Sequence, residues 1–396
     1  MKILHLNDKT AILGGVEVYV EQLQQLLPAT GAESVWMGIS KNEQTYSMQI
    51  YPSEKVSALG DLAATGDFLR QWADRENIDL INIHSISDPD LISLCFAIRP
   101  VVRSLHEPRM FCPGQGKFWR FSEKVCNQPF GIHCLWHTYT QGCSNRHPVR
   151  LKHAMENTWF ELNTAAPAYQ KIVVMSRYMK DECIKAGIAE EKVGIIPYFT
   201  LYRDRMAPTD YSGPKRLLFM GRFISHKGIH LMLQALRPLL EQYPDLYLDM
   251  VGDGEYYPKL QQEIEQLKTA KVAERVVFHG WQNRRQVEAF LTNCYAVIFP
   301  SIYPEAFGIV GIEAMMYGKP VVGFDTGGVN SWLNDGVTGF CVPTGDTAAM
   351  QNSVQKLIDS PELHREFALA ARQTAVEKFV PEIHIRQLSS VYQSAI

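Results

Sequence analysis

The sequence predicts an α/β protein made of two tandem Rossmann-like domains, each a doubly wound parallel sheet, that face each other across a cleft. First, 396 residues are too many for one ordinary domain and enough for two, each with its own core. Second, short apolar runs alternate with longer segments of helical periodicity, which is typical of parallel sheets with crossover helices. Third, the alternation stops at residues 199–215, which carry two prolines, a glycine and no apolar period, and then restarts.

The apolar runs mark the strands of both domains. In the first domain the predicted strands are residues 2–7, 34–40, 80–85, 101–108, 171–176 and 193–198. In the second domain they are residues 216–223, 246–254, 275–281, 296–301 and 320–328. Segments with helical periodicity, such as 16–27 and 66–77, separate the strands.

The domain boundaries follow from this pattern. We expect an N-terminal domain over residues 1–200 and a C-terminal domain over residues 214–380. Residues 381–396 have the pattern of one more helix, too short to found a third domain, and we expect it to pack back on the N-terminal domain. Doubly wound sheets bind ligands at the carboxyl ends of their strands, so functional residues are expected there.

Composition excludes several classes of protein. A hydrophobic content of 46% and a charged content of 20% are those of a globular chain, and a net charge of −3 gives no overall footprint for nucleic acid. The first residues, MKILHLNDKT, lack the charged head and long apolar stretch of a secretory signal. Because no apolar run reaches the ~18 residues of a membrane span, we expect a cytoplasmic protein.

The segment GRFISHKG, residues 221–228, follows the first strand of the second domain and opens a helix. Arg222 is expected at the strand end and Lys227 at the helix start. A helix N-terminus has unsatisfied N–H groups and a positive dipole end, so two added cations favour a diphosphate. The alternative is a pair of solvated surface cations.

A second strand–turn–helix pattern, AVIFPSIYPEAFGIVGIEAMMYG, keeps two carboxylates in an apolar segment. Glu305 precedes the expected helix of residues 307–317, and Glu313 lies about two turns further along the same side. The free N–H groups near Gly308 and Ile309 are expected to face the cleft. A buried carboxylate needs hydrogen-bond donors, and sugar hydroxyls are suitable ones. The alternatives are a helix-terminal charge for Glu305 and a salt bridge for Glu313.

Two adjacent glycines, Gly14 and Gly15, lie between the first strand and the first helix. Glycine lets the backbone approach a phosphate or sugar closely, although a Gly-Gly pair can also be only a tight turn. No complete Gly-x-Gly-x-x-Gly is present here. In GDGEYY, residues 252–257, Tyr257 occupies the place of the third glycine, which argues against a dinucleotide site.

Glu305-x-Phe307-Gly308 followed by Glu313, with Arg222 and Lys227 upstream and the glycine pair at the start, resembles the retaining glycosyltransferase family 4 of the GT-B architecture. The resemblance spans nearly the whole chain. It implies that Glu313 binds the ribose hydroxyls of a nucleotide sugar and that Glu305 contacts the transferred sugar. Arg222 and Lys227 would neutralise the diphosphate, and the glycine loop would approach it from the N-terminal domain.

The resemblance also implies a reaction. A hexose would move from a nucleotide-diphosphate sugar to a hydroxyl of a saccharide or lipid-linked acceptor, with retention of configuration, in polysaccharide or glycoconjugate synthesis. No cofactor and no catalytic metal is expected, because the two cations stabilise the leaving phosphate. Two alternatives remain: a nucleotide-sugar epimerase of the same architecture, and a catalytically inactive sugar-nucleotide-binding subunit.

Histidines at strand ends of the first domain are further candidates. The family commonly has a histidine facing the transferred sugar where this chain has His106, in SLHEP, although the usual following aspartate is replaced by Glu107. His84, at the end of LINIHS, is predicted on the acceptor side. Base recognition is expected to use the backbone near Gly280 and Trp281, and sugar choice to involve Phe307.

An insertion over residues 110–152 breaks the strand–helix rhythm and holds four of the eight cysteines, Cys112, Cys126, Cys134 and Cys143. Their spacing contains no Cys-x-x-Cys knuckle. A structural zinc site, thiol pairing and four unlinked thiols are all consistent with it, and related glycosyltransferases carry similar Cys-Pro insertions.

The same insertion is basic and aromatic. Residues 109–152 contain seven Lys or Arg and one acidic residue, Glu123, with aromatic residues interleaved. Such a surface suits an anionic lipid head group or a polyprenyl diphosphate-linked acceptor, and thus peripheral contact with the inner face of the cell membrane. Trp119 and Arg120 are the predicted acceptor-side residues. The alternative is a capping lobe whose aromatic residues form its own small core.

Overall fold

The computed structural model describes residues 1–11, 14–53, 55–202, 213–265 and 272–396. These residues form two compact units. The first comprises residues 1–121, 126–197 and 381–396, and the second comprises residues 122–125 and 198–380. Most of the predicted linker, residues 203–212, lies outside the described residues.

The first unit has the alternation expected of an α/β domain. Its opening elements are β1 (Lys2–Asn7), α1 (Gly15–Leu26), β2 (Glu33–Asn42), β3 (Thr45–Ile50), β4 (Val56–Gly60), α2 (Leu62–Arg75), β5 (Leu80–Ile83), α3 (Pro89–Phe96) and β6 (Val101–Leu105). The segment after β6 holds β7 (Phe118–Trp119), β8 (Lys124–Val125), α4 (His133–Gln141) and α5 (Pro148–Phe160). Then follow α6 (Ala166–Ala168), β9 (Lys171–Val174), α7 (Arg177–Lys185) and β10 (Val193–Ile195).

The main sheet of the first unit has the strand order β10-β9-β6-β5-β1-β2-β3-β4. Strands β10 to β2 are parallel, whereas β3 and β4 add an antiparallel edge. Strands β5 and β6 consist wholly of buried residues, as expected for strands covered on both faces. The chain direction in the sheet places the ends of β1, β5 and β6 side by side.

The second unit repeats the pattern. Its elements are β11 (Lys215–Met220), α8 (Ile229–Gln242), β12 (Leu246–Val251), α9 (Tyr257–Glu265), β13 (Val276–Gly280), α10 (Arg284–Asn293), β14 (Ala296–Phe299), α11 (Ile309–Met316), β15 (Val321–Asp325), β16 (Gly339–Pro343), α12 (Thr347–Asp359) and α13 (Pro361–Lys378). All strands of its sheet are parallel, in the order β13-β12-β11-β14-β15-β16. This is the doubly wound 3-2-1-4-5-6 order, whose direction reverses between β11 and β14.

The last helix, α14 (Pro381–Ala395), belongs to the first unit. Its inner face buries His384, Leu388 and Tyr392 against α1 and the sheet. The Tyr392 hydroxyl accepts a 2.6 Å hydrogen bond from the Asn82 side chain of β5. A polar layer therefore lies between this helix and the sheet, next to the ends of β1, β5 and β6.

The structure confirms the predicted fold class of two Rossmann-like α/β units, but the strand predictions contain errors. Strands β3, β4 and β16 were missed because their apolar runs are short or are interrupted by polar residues. Strand β10 ends at Ile195 instead of residue 198, since Pro197 has no N–H for the ladder. Among the described helices, none is both long and apolar enough to cross a membrane.

Candidate active site

The candidate site of the second unit is formed by the loops after β11 and β14, where the strand order reverses. Gly228 brings these loops together: it has φ +68°, and a Cβ there would lie 1.9 Å from the carbonyl oxygen of Pro300. The carbonyl of His226 accepts hydrogen bonds from the backbone N–H groups of Ile302 and Tyr303, both at 3.1 Å. Lys227 of the first loop is thereby held next to Glu305 of the second loop.

Lys227 and Glu305 form an ion pair in this site. The Lys227 Nζ lies 2.5 Å from the Glu305 Oε1, and both side chains are largely buried, with 23% and 13% exposed. The same carboxylate oxygen accepts a 2.8 Å hydrogen bond from the Ser301 hydroxyl. Glu305 therefore does not act as an isolated charge at the start of a helix; it is held by a cation and a hydroxyl from two neighbouring loops.

A glycine turn after β15 supports the backbone of Glu305. Gly327 has φ +56°, and a Cβ there would lie 2.4 Å from the Glu305 carbonyl oxygen. The next residue, Gly328, donates its N–H to that oxygen at 2.7 Å. Only a residue without a side chain allows this approach, so the turn fixes where the Glu305 loop lies.

The helix that carries the second glutamate begins at Ile309, two residues later than predicted, with Gly308 as its N-cap at φ +96°. Gly308 and Ile309 lie at the helix start, where N–H groups lack intrahelical partners. Phe307 is 1% exposed and packs edge-to-face on Tyr198 and Phe379. The Phe307 ring therefore belongs to the apolar core, which leaves its backbone for the predicted part in sugar choice.

Glu313 lies in the middle of α11 and is partly buried. Burial raises the pKa of its carboxyl to about 7, and the Arg284 guanidinium opposes this shift. Arg284 also stands 4.9 Å from the centre of the Tyr202 ring, and the pKa of Tyr202 is raised by burial and by the Glu313 charge. Glu313, Arg284 and Tyr202 thus form one electrostatic group.

Arg222 and Gly280 both lie at strand ends of the second sheet. Arg222 follows β11 and is exposed, and Gly280 ends β13 at φ +66° with open space around its missing Cβ. Trp281, next to it, is exposed. Gly252 permits the Arg222 loop, because a Cβ there would lie 1.9 Å from the Gly221 carbonyl oxygen.

In the first unit, Gly14 and Gly15 cap the first helix. Gly14 is the N-cap of α1 in an extended conformation, without a side-chain cap, and Gly15 has no atom within 4 Å of an added Cβ. Both residues are exposed. The two residues before them lie outside the described part of the chain.

His106 follows β6 and is partly exposed. Burial lowers its pKa to about 3, with a further lowering by the Arg109 and Arg103 charges, so the ring is neutral. Glu107, where the family has aspartate, forms an ion pair with Arg109. The Arg109 guanidinium also donates to the Ser85 carbonyl and thus connects this loop to the end of β5.

His84 does not lie where the sequence analysis placed it. It is only 1% exposed, and its two ring nitrogens lie within hydrogen-bond distance of His5 and His106. A direct contact with an acceptor is therefore excluded in this structure. Parallel strands alternate their side chains between two faces, and His84 points into the layer under α14 instead of towards solvent.

The four clustered cysteines are free thiols, as are the other four cysteines. In the described ranges, no three His, Cys, Asp or Glu side chains are arranged to hold a metal ion. Burial and neighbouring thiols raise the pKa of Cys143 to about 11, and burial also raises the pKa of Cys134. Of the three alternatives for Cys112, Cys126, Cys134 and Cys143, the described residues therefore show unlinked thiols, without thiol pairing or a metal-holding arrangement.

The basic and aromatic segment divides into a core and a surface. Phe111 and Phe118 are buried, as the lobe-core alternative proposed. By contrast, α4 and its flanks expose a continuous apolar face, which we call the α4 face; its residues are Phe121, Ile132, Leu135, Trp136 and Tyr139. Arg146 stands over the Phe121 ring at 4.5 Å. Trp119 is partly buried against His137, and Arg120 is exposed.

Arg284, Ser301 and His5 were not predicted from the sequence. Arg284 could have been found, because a cation in the first turn of a helix opposes the helix dipole and calls for a partner. In the structure it is the first residue of α10, after the capping box of Asn283 and Gln286. Ser301 and His5 carry no such signal, since hydroxyl and imidazole groups are common near strand ends.

Two sequence families match consecutive parts of the chain. The family described as "Glycosyltransferase Family 4" matches residues 13–199, and the family described as "Glycosyl transferases group 1" matches residues 203–374.

Individual proteins are similar at lower identity or over shorter stretches. "Alpha-D-kanosaminyltransferase" of Streptomyces kanamyceticus is 25% identical over 297 residues, 71% of this chain and 75% of that protein. "Phosphatidyl-myo-inositol mannosyltransferase" of Mycobacterium leprae is 32% identical over 183 residues, which is 46% of each protein. The match with the mannosyltransferase thus spans less than half of that relative.

Solved structures resemble the whole chain. HepE of Anabaena in complex with UDP superimposes with a TM-score of 0.69 at 21% identity, over 100% of both chains. A glycosyltransferase from Rickettsia africae gives a TM-score of 0.71 at 17% identity, over 100% of this chain and 98% of that chain. At these identities the likeness establishes a shared fold.

Proposed function

This chain belongs to the family 4 glycosyltransferases with the GT-B fold, and we propose that it transfers a hexose, with retention, from a nucleotide-diphosphate sugar to a saccharide or lipid-linked acceptor. The observation that carries the proposal is the Lys227–Glu305 ion pair. It lies next to the ends of β11 and β14, where the strand order of the second sheet reverses. Open α/β sheets bind ligands at this position.

The charges of that site suit departure of a nucleoside diphosphate. Arg222 is exposed in the same loop as Lys227, and the free N–H groups at the start of α11 add a positive dipole end. As the bond to the anomeric carbon breaks, negative charge grows on the leaving phosphate. Fixed cations and N–H groups stabilise that charge more than they stabilise the bound substrate, and this lowers the barrier.

Retention follows from attack on the same face. The acceptor hydroxyl approaches the side from which the diphosphate leaves, and its proton passes to the departing phosphate oxygen. Glu305 contacts the hydroxyls of the transferred sugar, and the ion pair with Lys227 holds this carboxylate in place. Because Arg222 and Lys227 neutralise the diphosphate, we propose a reaction without cofactor or divalent metal.

Glu313 is proposed to bind the ribose. An ionised carboxylate can accept two adjacent O–H groups, and its partly buried position gives those hydrogen bonds a low-dielectric setting. The open space at Gly280 suits close approach of a base to the backbone. HepE, which shares the fold, was crystallised with UDP and with UDP-glucose, so the UDP series is the first to test.

In the first unit, His106 is assigned to the transferred sugar and the glycine pair to the diphosphate. His106 is neutral and partly exposed, which suits a hydrogen bond to a sugar oxygen. Gly14 and Gly15 present exposed backbone at a helix start. Both assignments rest on the match of these residues to the family motif.

The acceptor side is assigned to the segment that follows β6. The α4 face exposes aromatic and aliphatic side chains together with Arg120 and Arg146, a combination suited to an anionic membrane surface. Trp119 and Arg120 are proposed to contact the acceptor. The similarity to a phosphatidyl-myo-inositol mannosyltransferase is consistent with a lipid-linked acceptor. We place the protein in the cytoplasm, peripherally at the inner face of the cell membrane.

A thermal-shift screen with UDP, GDP, ADP and TDP and their common sugars tests the donor assignment. A ligand that binds only the folded state raises the unfolding midpoint, by at least about 2 °C at 100 times its Kd. We expect one nucleotide series to do so, with a smaller shift at the same ligand concentration in Glu313→Gln and an unchanged shift in the exposed control Glu366→Gln.

Product analysis of the binding donor then separates the alternatives. A transferase forms a glycoside only when an acceptor is present, an epimerase changes the donor sugar alone, and an inactive subunit does neither. No midpoint shift with any nucleotide would contradict the proposed function.

A further inference from the structure

Three histidines lie on three neighbouring strands of the first unit. His5 is in β1, His84 directly follows β5, and His106 directly follows β6. The strand order places β5 between β1 and β6, and the register raises each histidine about two residues above the one before. The three rings therefore lie on one face of the sheet, with His5 deepest, His84 next, and His106 nearest the strand ends.

The rings are connected nitrogen to nitrogen. The His5 Nδ1 lies 3.0 Å from the His84 Nε2, and the His84 Nδ1 lies 2.9 Å from the His106 Nε2. His5 and His84 are 0% and 1% exposed, whereas His106 is partly exposed. Each of these contacts needs one N–H and one bare lone pair, so each proton position depends on the next.

All three rings are neutral. Burial lowers the pKa of His5 and of His106 to about 3, and lowers that of His84 well below its ordinary value. The charge of Arg103 acts in the same direction on His84 and His106. Arg103 is itself buried, pairs with Glu161, and donates to the carbonyls of His84 and Ile86, so the buried Glu161 carboxylate is already neutralised by a cation.

Three neutral imidazoles that are hydrogen-bonded in series allow only two arrangements of their protons. Either every ring carries its proton on Nδ1, or every ring carries it on Nε2. The two differ at the buried end, where the His5 Nε2 has no partner among the described residues. In the first arrangement that atom is a bare lone pair, and in the second it is an N–H. Buried N–H groups without an acceptor are the rarer case in proteins.

We propose that His5 and His84 are positioning residues that hold the proton of His106 on Nδ1, so that His106 acts as a neutral hydrogen-bond donor of fixed orientation. Neither His5 nor His84 touches substrate. Tyr19 fixes the rings from the side: its ring lies edge-on to His84 and His106 at centroid distances of 6.2 and 5.3 Å.

Tyr19 is itself held by the last helix. The His384 Nδ1 lies 2.7 Å from the Pro197 carbonyl, which can only accept, so this nitrogen carries the proton. Because burial lowers the pKa of His384 to about 4, its Nε2 is a lone pair that accepts the Tyr19 hydroxyl at 2.8 Å. Helix α14 thereby contributes to the orientation of the histidine chain.

For catalysis, the chain gives His106 one defined role. A donor with its proton always on Nδ1 can bond a lone pair of a sugar oxygen without first exchanging its tautomer. This use of the chain rests on the proposed function, in which His106 contacts the transferred sugar, but the proton arrangement itself does not.

The proton arrangement is measured directly on the full-length protein without any substrate. Protein labelled with ¹⁵N in its 12 histidines gives two-bond ¹H–¹⁵N spectra that separate protonated from bare ring nitrogens. Signals of His5, His84 and His106 are assigned by their loss in single variants. We expect a proton on Nδ1 of all three rings from pH 6 to 8. A proton on the His106 Nε2, or on both its nitrogens, would overturn the proposal.

Two variants of His84 form a matched pair. In His84→Asn the amide nitrogen takes the place of Nδ1 and can still donate to the His106 Nε2. In His84→Gln the amide reaches the place of Nε2, so it keeps the link to His5 and loses the link to His106. Both variants remove one buried ring and replace it with an amide of similar polarity.

We expect His84→Asn to keep the His106 proton on Nδ1 and kcat within about threefold. His84→Gln should lose that fixed proton and lower kcat by on the order of tenfold, as for other residues that orient a functional group, with unchanged Kd for the nucleotide. Equal spectra and equal kcat in the two variants would contradict the positioning role. If no nucleotide sugar is turned over, the proposed function fails while the spectra still decide the proton arrangement.

Discussion

The two units place different chemistry at equivalent positions of their sheets. In the second unit, next to the point where the strand order reverses, Lys227 and Glu305 form an ion pair, and the charge of Arg284 acts on Glu313; Lys227, Glu305 and Glu313 are all partly exposed. At the ends of β1, β5 and β6 in the first unit, three neutral histidines are hydrogen-bonded in series. The same architecture thus supports a charged site and an uncharged one.

The difference shows how burial decides what a site can do. Charges survive at the strand ends of the second unit because each has a partner and some access to water. The histidines of the first unit lie deeper, where a charge without a carboxylate partner is too costly. They therefore orient a hydrogen-bond donor and carry no charge. Charge stabilisation is therefore expected from the second unit, and orientation from the first.

The largest effect should follow removal of the cation of the charged site. Lys227→Ala leaves the leaving diphosphate without one of its fixed positive partners and leaves Glu305 without its ion pair. We expect kcat for transfer to fall by about 10²–10³, the usual loss for one electrostatic stabiliser of a transition state. Initial rates with saturating donor and acceptor measure this.

The control for this variant is Lys378→Ala, which removes an exposed lysine at the end of α13 in the same unit. It should change kcat by less than about twofold. A similar decrease in both variants would show that the loss is a general effect of charge. An unchanged kcat in Lys227→Ala would remove Lys227 from the catalytic machinery and weaken the contrast between the units.

The charged site could be predicted from the sequence to a large extent, because charged residues stand out in apolar segments. Arg222, Lys227, Glu305 and Glu313 were identified from strand–turn–helix patterns, and the structure pairs Lys227 with Glu305. The glycine contacts that bring them together, at Gly228 and Gly327, could not be predicted. They depend on which backbone atoms approach in the folded chain, Gly228 against Pro300 and Gly327 against Glu305.

The uncharged site was only partly predictable. His106 was identified through its motif, but His84 was placed on the acceptor side and His5 was not considered. The error has a physical reason: the end of an apolar run marks where a strand ends and does not show which face a side chain occupies. One residue of register decides that face, and the register of β1, β5 and β6 is a property of the sheet.

A pH titration of donor binding separates the two sites. Between pH 6 and 8 the histidines stay neutral, whereas the pKa of Glu313 lies at about 7. Only the ionised carboxylate accepts both ribose O–H groups. Its ionised fraction rises from roughly one tenth at pH 6 to roughly nine tenths at pH 8, so we expect Kd to fall about tenfold. Calorimetry with the nucleotide identified by thermal shift measures this.

Glu313→Gln is the matched control, since it removes the titration and keeps the shape. The variant should bind the nucleotide more weakly than the wild type between pH 6 and 8. Its Kd should change with pH only as far as the nucleotide itself titrates. The contribution of Glu313 to folding stability should decrease as pH rises, whereas nucleotide binding should strengthen. The raised pKa favours the folded state below about pH 4.5, and this contribution, up to about 3 kcal/mol, is lost as pH rises through 7. A wild-type Kd that follows the variant's pH profile would contradict the role of Glu313.

The smallest expected effect is on membrane binding by the surface of the first unit, where basic side chains are exposed away from the sheet. Arg146 is exposed and stacks on Phe121 at the edge of the α4 face. One basic residue near an anionic bilayer contributes about 1 kcal/mol, so Arg146→Gln should weaken binding to phosphatidylserine-containing vesicles about fivefold. The control Arg70→Gln, half exposed on α2 of the same unit, should leave vesicle binding unchanged. Equal losses in both variants would indicate attraction by overall charge, and no loss in Arg146→Gln would separate the α4 face from membrane contact.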